Sequence, residues 1–267
     1  MANLSATVIG ANIGHPLNRG RVAWWMPVPG RLGGAALIDL IGRYPAVLMG
    51  SPVWQSGWPY PAINLNGSTQ YARADAADLP NLGNVTVGIR FTPAAGFITA
   101  GGELIVRAAS GGDVARGCRI HWNTAEGLHT DAYGGYAYRS PGYAMTAGVE
   151  YTIALALDAA TGDYAQYYSQ GQAITTTMLS SVSGNYTAGL PFAIGSQFGS
   201  AESSAIRLAE AWVYDRILTA REVADIHRQS RLGYPDLLIR GRTPITAMVA
   251  PAIGPTPYYH RMLGGAA

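Results

Sequence analysis

Apolar and polar positions alternate along much of the chain, which predicts β-strands. Residues 84–91 place valine, isoleucine and phenylalanine at every second position, with mostly polar side chains between them. Residues 151–157 and 208–214 alternate in the same way. Shorter candidates follow one another at intervals of about ten residues with Gly-rich turns between them, which is the pattern of an antiparallel β-sandwich.

One short helix interrupts this pattern near the C-terminus. Thr219 and Glu222 have the spacing of a capping box, in which the hydroxyl and the carboxylate each accept a hydrogen bond from the other residue's backbone N–H. Val223 and Ile226 supply the apolar side of the helix, and Gly233 predicts its end. The sequence therefore predicts an all-β, two-sheet fold with one C-terminal helix.

The two ends of the chain follow neither pattern. Residues 1–21 are apolar with few charges, and residues 232–267 combine repeated proline with apolar side chains. Proline at this density excludes a helix and favours an extended arm. We expect the sandwich, residues 22–231, to keep its core without this arm. We expect the arm to contact another protein through five residues: Tyr234, Pro244, Met248, Tyr258 and Tyr259.

Composition narrows the class of protein. Charged residues are only 13% of the chain, and all 18 basic residues are arginine. The net charge of +2 gives no reason to expect a nucleic-acid partner. The single cysteine, Cys118, excludes an internal disulfide. No apolar run approaches the ~20 residues that span a bilayer, so no membrane partner is expected.

Several segments resemble the LamG-like jelly-roll family, also called concanavalin A-like lectins and glucanases. Residues 208–219 resemble the family's closing acidic-aliphatic strand and helix cap, although Ala209 stands where its first acidic residue is usual. Residues 62–71 resemble its Asn-Gly hairpin, and residues 38–48 its Asp-Leu-Ser-Gly segment. The opening residues 15–25 are similar to LamG-like chains encoded by tailed bacteriophages. The resemblance implies a jelly-roll sandwich and a bacteriophage origin.

Catalytic patterns of related glycan hydrolases are missing from the sequence. None of the six glutamates has a second carboxylate two or four residues away, as a paired acid and nucleophile on one strand would require. We therefore expect no enzymatic activity and no cofactor. His121, His129 and Asp131 are compatible with a metal site, but ordinary polar strand positions explain them better. The resemblance also implies a rim calcium site, for which Asp75, Asp78 and Asp113 are candidates that no spacing favours.

Aromatic side chains supply the candidate binding residues. They cluster in two stretches rich in turn residues: Trp54, Trp58 and Tyr60 in the first, and Tyr133, Tyr136 and Tyr138 in the second. Exposed aromatic rings stack on sugar faces or anchor protein contacts, but tyrosine and tryptophan also fill sandwich cores. Core packing, protein contact and sugar binding all remain open for these residues.

Two functional hypotheses follow. The first is a non-enzymatic structural protein of a bacteriophage particle, made in the host cytoplasm, which contacts other virion proteins and copies of itself as a capsid decoration, tail or fibre component. Its grounds are the resemblance and the two apolar ends. The second is a carbohydrate-binding adhesion module that recognises surface glycans through the aromatic stretches.

Overall fold

A computed structural model describes residues 7–28, 34–56, 61–75, 83–108, 116–132, 136–158, 164–180, 190–196, 203–234 and 236–241. The strands are β1 (Thr7–Ala11), β2 (Arg21–Met26), β3 (Ala36–Asp39), β4 (Ala46–Met49), β5 (Val53–Gln55), β6 (Ala62–Asn66), β7 (Tyr71–Ala74), β8 (Asn84–Pro93), β9 (Gly102–Ala108), β10 (Arg116–Asn123), β11 (Gly127–Ala132), β12 (Tyr136–Ser140), β13 (Tyr151–Asp158), β14 (Ala165–Ser169), β15 (Gln172–Ala173), β16 (Thr177–Ser180), β17 (Phe192–Ile194), β18 (Ala205–Tyr214) and β19 (Leu238–Gly241). The helices are α1 (Ala95–Ala100), which the sequence pattern does not predict, and α2 (Ala220–Arg231).

The strands form two antiparallel sheets. The back sheet runs β5-β6-β18-β8-β13-β14-β15, and β2 pairs with β18 beyond the end of β6. The front sheet runs β4-β7-β17-β9-β10-β11-β12-β16. Strand β3 pairs with β2 of the back sheet and with β4 of the front sheet, so it joins the two. The predicted two-sheet β-sandwich is confirmed.

The main core lies between the sheets. The alternating apolar residues of β8, β13 and β18 face inward, and Ile89, Leu155 and Val213 have no exposed surface. From the front sheet, Phe192 packs against Trp25 with ring centroids 5.7 Å apart. Cys118 is buried in the same core, and this burial raises the pKa of its thiol to about 12.

A third layer covers part of the outer face of the back sheet. Val223 and Ile226 of α2 contact a second apolar cluster that includes Trp24 and Trp212. Gly88 lies beneath the Trp212 ring, where a Cβ would come within 2.1 Å of a ring carbon. Glycine at this position therefore allows the indole to lie flat on the sheet.

The two ends of the described chain complete this third layer. Strands β1 and β19 pair antiparallel, with Ala11 opposite Leu238 and Thr7 opposite Gly241. The backbone N–H of Asn12 also donates to the Leu237 carbonyl at 2.7 Å. Ala11, Leu237 and Leu238, the apolar residues of this ribbon and its approach whose burial is described, are thus covered within a single chain.

Tyr234 is a core residue rather than an exposed residue of an arm. Its side chain has no exposed surface and meets the Trp24 ring edge-on at 4.7 Å between centroids. The physical reason is that its ring belongs to the second apolar cluster, together with Trp212 of the back sheet and Ala11 and Leu238 of the β1–β19 ribbon. The fold therefore extends beyond the expected limits of 22 and 231 on both sides. The other predicted arm residues, Pro244, Met248, Tyr258 and Tyr259, lie outside the described residues.

A buried charge network joins the back sheet to this third layer. Glu210 is fully buried and accepts hydrogen bonds from Arg90 Nε at 3.1 Å, from Trp24 Nε1 at 3.1 Å and from the Tyr234 hydroxyl. Burial acts to lower the pKa of Arg90, but the negative charges facing it, chiefly Glu210, raise that pKa overall. Burial raises the pKa of Tyr234 well above the ordinary range, which keeps its hydroxyl a donor.

The predicted capping box of α2 is confirmed. The Glu222 N–H donates to Thr219 Oγ1 at 3.3 Å, and the Thr219 N–H donates to Glu222 Oε2 at 2.9 Å. Arg216 donates to Glu222 Oε1 at 2.7 Å, and this bond is the main cause that lowers the pKa of Glu222 to about 2. Ionised Glu222 therefore stabilises the folded state above pH 4.5, and this stabilisation is lost as the pH falls through about 2.

Replacing Thr219 with alanine is expected to lower the free energy of unfolding by about 1 kcal/mol at pH 7, because it removes the cap. The expected decrease in Tm is about 2–4 °C. The difference from the wild type should narrow as the pH approaches 2, where Glu222 becomes protonated in both proteins. Thermal melts at pH 7, 4 and 2 test this, and a difference that does not change with pH would contradict the coupling of the two residues.

Candidate functional site

The predicted aromatic residues do not form one exposed platform. Trp54 lies on β5, packs partly against the main core and donates its Nε1 hydrogen to the Gly34 carbonyl at 3.2 Å. Tyr138 lies on β12, is 5% exposed and belongs to the main core, because strand alternation turns it inward. The interpretation of Tyr138 as an exposed binding residue is corrected accordingly. Trp58, Tyr60, Tyr133 and the side chain of Tyr136 lie outside the described residues.

The metal candidates are only partly brought together. His121 of β10 lies directly opposite His129 of β11, but nothing is described of the Asp131 side chain. Within the described ranges, no group of three or more His, Cys, Asp or Glu side chains is placed to hold a metal ion. Asp75 is exposed and pairs with Arg73 at 2.8 Å, whereas Asp78 and Asp113 lie outside the described residues. A calcium ion remains an untested expectation.

One open pocket of about 390 Å³ is lined by residues of 34–45 near the start of the front sheet. Its carboxylate, Asp39, is 4% exposed and accepts hydrogen bonds from four backbone N–H groups, those of Trp24, Ile41, Arg43 and Tyr44. Asp39 therefore organises the turn after β3 and has little capacity left for a ligand.

The best candidate for a binding site is a cluster of charged and titratable side chains on the outer face of the front sheet. We call it the charged row, and it consists of six side chains: Glu103, Arg119, His121, Glu126, His129 and Arg139. These residues come from β9, β10, β11 and β12 and from the β10–β11 turn. His121 and His129 point outward because their neighbours Trp122 and Leu128 belong to the main core.

A buried ion pair anchors one end of the charged row. Arg119 NH1 donates to Glu103 Oε1 at 2.7 Å, and Glu103 has no exposed surface. His121 Nδ1 lies 3.5 Å from the same carboxylate oxygen. Glu103 reaches this position because the pairing of β9 with β10 shifts between Ile105 and Glu103, which leaves Leu104 as an extra residue.

The other end of the charged row is more accessible. The His121 and His129 rings meet edge-on with centroids 6.4 Å apart. Arg139 lies opposite His129 on β12, and its NH1 is 3.9 Å from Glu126 Oε1. The side chains of Arg139 and Glu126 are 37% and 35% exposed, so they present polar atoms to solvent.

Exposed apolar side chains lie at the far edge of the same outer face, where β7 and β17 separate β4 from the charged row. On β4, Val47 is 48% exposed and Met49 is 37% exposed, and these residues pair with Arg73 and Tyr71 of β7. The face thus combines fixed charged groups with accessible aliphatic surface. At about 4.8 Å per strand, only a ligand longer than about 14 Å would reach both groups.

Sequence reasoning found His121 and His129 but missed the rest of the charged row. The signal for the histidines is their alternation with core residues on two adjacent strands. Glu103 and Arg119 are placed together by a one-residue register shift, which alternation does not reveal.

The sandwich and its polar outer face define a lectin-like β-sandwich protein. A laminin G-type family model, described as the concanavalin A-like lectin/glucanases superfamily, matches residues 66–224, which is more than half of the chain. The chain belongs to this superfamily, as the resemblance predicts. No curated protein sequence matches it significantly.

Solved structures share the fold at low sequence identity. A Trypanosoma rangeli sialidase superposes with a TM-score of 0.60 at 16% identity, over 82% of this chain and 34% of the sialidase. The binding domain of Paraclostridial Mosquitocidal Protein 1 gives a TM-score of 0.60 at 13% identity, over 80% of this chain and 53% of that domain. This chain thus spans about a third of the sialidase.

A third similar structure is a single domain of comparable size. Domain 4 of AbnA, a GH43 extracellular arabinanase from Geobacillus stearothermophilus, was solved in complex with arabinotriose. It superposes with a TM-score of 0.55 at 16% identity, over 71% of this chain and 91% of that domain.

None of the helices in the described ranges combines the length and the hydropathy needed to span a membrane.

Proposed function

We propose that this protein is a non-catalytic carbohydrate-binding module and that the charged row is its binding surface. The observation that carries the proposal is the arrangement of six charged or titratable side chains, five on four adjacent strands and one on the β10–β11 turn, several of them held by mutual ion pairs.

Pre-organisation makes this arrangement suitable for sugar hydroxyls. Glu103 holds Arg119 and lies beside His121, so these side chains lose little rotamer freedom when a ligand binds. Hydrogen bonds to charged groups contribute about 1.5–3 kcal/mol each, more than neutral ones. Arg139 and Glu126 offer a donor and an acceptor close together, which matches a pair of neighbouring hydroxyl groups.

The structural comparisons support this proposal through the fold. One similar domain was solved with arabinotriose, and another is the binding domain of a mosquitocidal protein. The sialidase is matched over only about a third of its length, so its activity is not carried over to this chain. A binding role without catalysis is consistent with the absence of a paired carboxylate motif in the sequence.

The variant Arg139→Gln combined with His121→Ala is expected to weaken glycan binding at least tenfold. Arg139→Gln alone should already weaken it, because the amide cannot replace a bidentate guanidinium. The matched control is Arg228→Gln, which removes another partly exposed ion pair, with Asp225, on α2. Binding is measured on an oligosaccharide array and then by calorimetry with the tightest ligand.

Two outcomes of this experiment are informative. Binding lost in the double variant but retained in Arg228→Gln, with both proteins melting near the wild-type temperature, supports the charged row as the site. Equal affinity of the double variant and the wild type would contradict it.

The place of this protein in a bacteriophage particle remains a prediction from the sequence resemblance. One of its grounds was that two apolar ends require a partner protein. The described parts of those ends instead cover each other and the back sheet, through the β1–β19 ribbon and Tyr234. Contacts with virion proteins or with further copies of the chain remain predictions as well.

A further inference from the structure

We infer a second binding surface on the opposite side of the sandwich, suited to a sugar that carries a carboxylate. It lies on the outer face of the back sheet, beyond the edge of the third layer. We call it the polar ledge and define it by four side chains: Gln55, Asn64, Thr92 and Arg207. Neither the superfamily nor the charged row predicts it.

The register of three strands places these residues side by side. Arg207 of β18 lies opposite Asn64 of β6 on one side and opposite Thr92 of β8 on the other. Neighbouring strands are about 4.8 Å apart, so the three side chains form a row about 10 Å long. Gln55 of β5 lies on the same face at the exposed edge of the sheet.

The polar groups of the ledge are unused within the described part of the chain. Arg207, Asn64 and Thr92 are each half-buried, yet none makes a side-chain hydrogen bond or ion pair with any described residue. Other arginines of the back sheet are engaged: Arg90 pairs with Glu210, and Arg21 donates to the Tyr214 hydroxyl at 2.7 Å. Arg207 is therefore a partly desolvated cation whose guanidinium has no carboxylate partner among the residues that the structure describes.

The boundary of the third layer explains why this part of the sheet is accessible. Next to the ledge on the same face, Arg90 and Glu210 are buried beneath Tyr234. The polar residues of the ledge begin where this cover ends. Glu210 does not neutralise Arg207, because its own charge is already matched by Arg90.

The chemistry of the row selects a carboxylate flanked by hydroxyl groups. A guanidinium binds a carboxylate through two parallel N–H···O bonds, so Arg207 favours a carboxylate over an anion that accepts only one such bond. The Asn64 amide both donates and accepts, and so does the Thr92 hydroxyl, which suits hydroxyl groups on either side. A uronic acid has this combination of groups, so we assign the ledge to uronic-acid units of an acidic glycan.

The position of the ledge has a consequence for function. The charged row and the polar ledge lie on the outer faces of the two different sheets, and these faces point away from each other. One molecule can then hold two glycan chains at once and bridge them. Two sites that act together on a single multivalent surface also increase the apparent affinity.

Calorimetric titration with oligogalacturonate tests the ledge directly. Arg207→Gln is expected to reduce the affinity at least tenfold, and Arg207→Lys should recover only part of it, because lysine lacks the bidentate geometry. The matched control is Arg221→Gln, which removes an exposed arginine of α2 and should leave binding unchanged. Melting temperatures of all variants establish that they are folded.

Further measurements distinguish a failure of the ledge from a failure of the charged row. The charged-row variant His121→Ala/Arg139→Gln should bind oligogalacturonate as the wild type does, since the ledge is a different site. Unchanged affinity in Arg207→Gln would overturn the ledge. If the wild type binds dextran sulfate as tightly as oligogalacturonate, the assignment to carboxylates is wrong. If only the charged-row variant loses oligogalacturonate binding, that ligand binds the front sheet instead, and the ledge is overturned.

Discussion

A chain that ends after Gly233 is expected to lose its cooperative fold. This truncation removes Tyr234, Leu237 and Leu238, whose side chains are buried in the second apolar cluster. Burying a large apolar side chain contributes about 1.5–3 kcal/mol, so the loss amounts to roughly 5–9 kcal/mol. That is comparable to the whole stability of a typical domain, about 5–15 kcal/mol. The truncation also leaves β1 without its partner strand.

The control is a chain that ends after Gly241, which keeps Tyr234 and β19. It should melt cooperatively within a few degrees of the full-length protein, because every described contact of the third layer remains. Circular dichroism melts of the three proteins provide the comparison. A cooperative transition at the wild-type temperature in the shorter chain would show that the third layer is dispensable.

Replacing Glu210 with leucine is expected to destabilise the domain by about 3–5 kcal/mol. The substitution leaves the guanidinium of Arg90 buried with no carboxylate to offset its charge, apart from the partly exposed Glu150 at 3.5 Å. The Trp24 and Tyr234 donors lose their acceptor as well. Denaturant unfolding should show a lower midpoint with a similar slope.

A double variant distinguishes the charge effect from a packing effect. Arg90→Met combined with Glu210→Leu removes both charges, and apolar replacement of a buried ion pair is often neutral or stabilising. The double variant should therefore be more stable than Glu210→Leu alone. If it is less stable, the network acts through shape and hydrogen bonding rather than through the unpaired charge.

Local features of this fold could be predicted because short-range chemistry determines them. The hydrogen bonds of Thr219 and Glu222 span three residues, so the capping box is visible in the sequence. The strand at 84–91 shows its inner face through simple alternation, and its apolar residues do line the core. The spacing of the strand candidates and the family resemblance both predict the two-sheet arrangement.

Features that depend on distant pairing could not be predicted in this way. The apolar ends suggested a partner protein, since alternation does not reveal that β1 pairs with β19, more than 200 residues away. Tyr138 appeared to belong to a glycine-rich loop, but it is the middle residue of a strand whose partners are set by register. The charged row likewise depends on the shift around Leu104.

Binding of glycans to the charged row of the front sheet can be observed at the two histidines of that row. An NMR titration of the histidine rings with the tightest ligand from the oligosaccharide array tests this binding. We expect the ring signals of His121 and His129 to shift with ligand, while those of His227, which lies on α2 and contacts Thr152 of the back sheet, do not. A titration in which a bound glycan leaves both rings of the charged row unperturbed, or an array on which no glycan is retained, would contradict it.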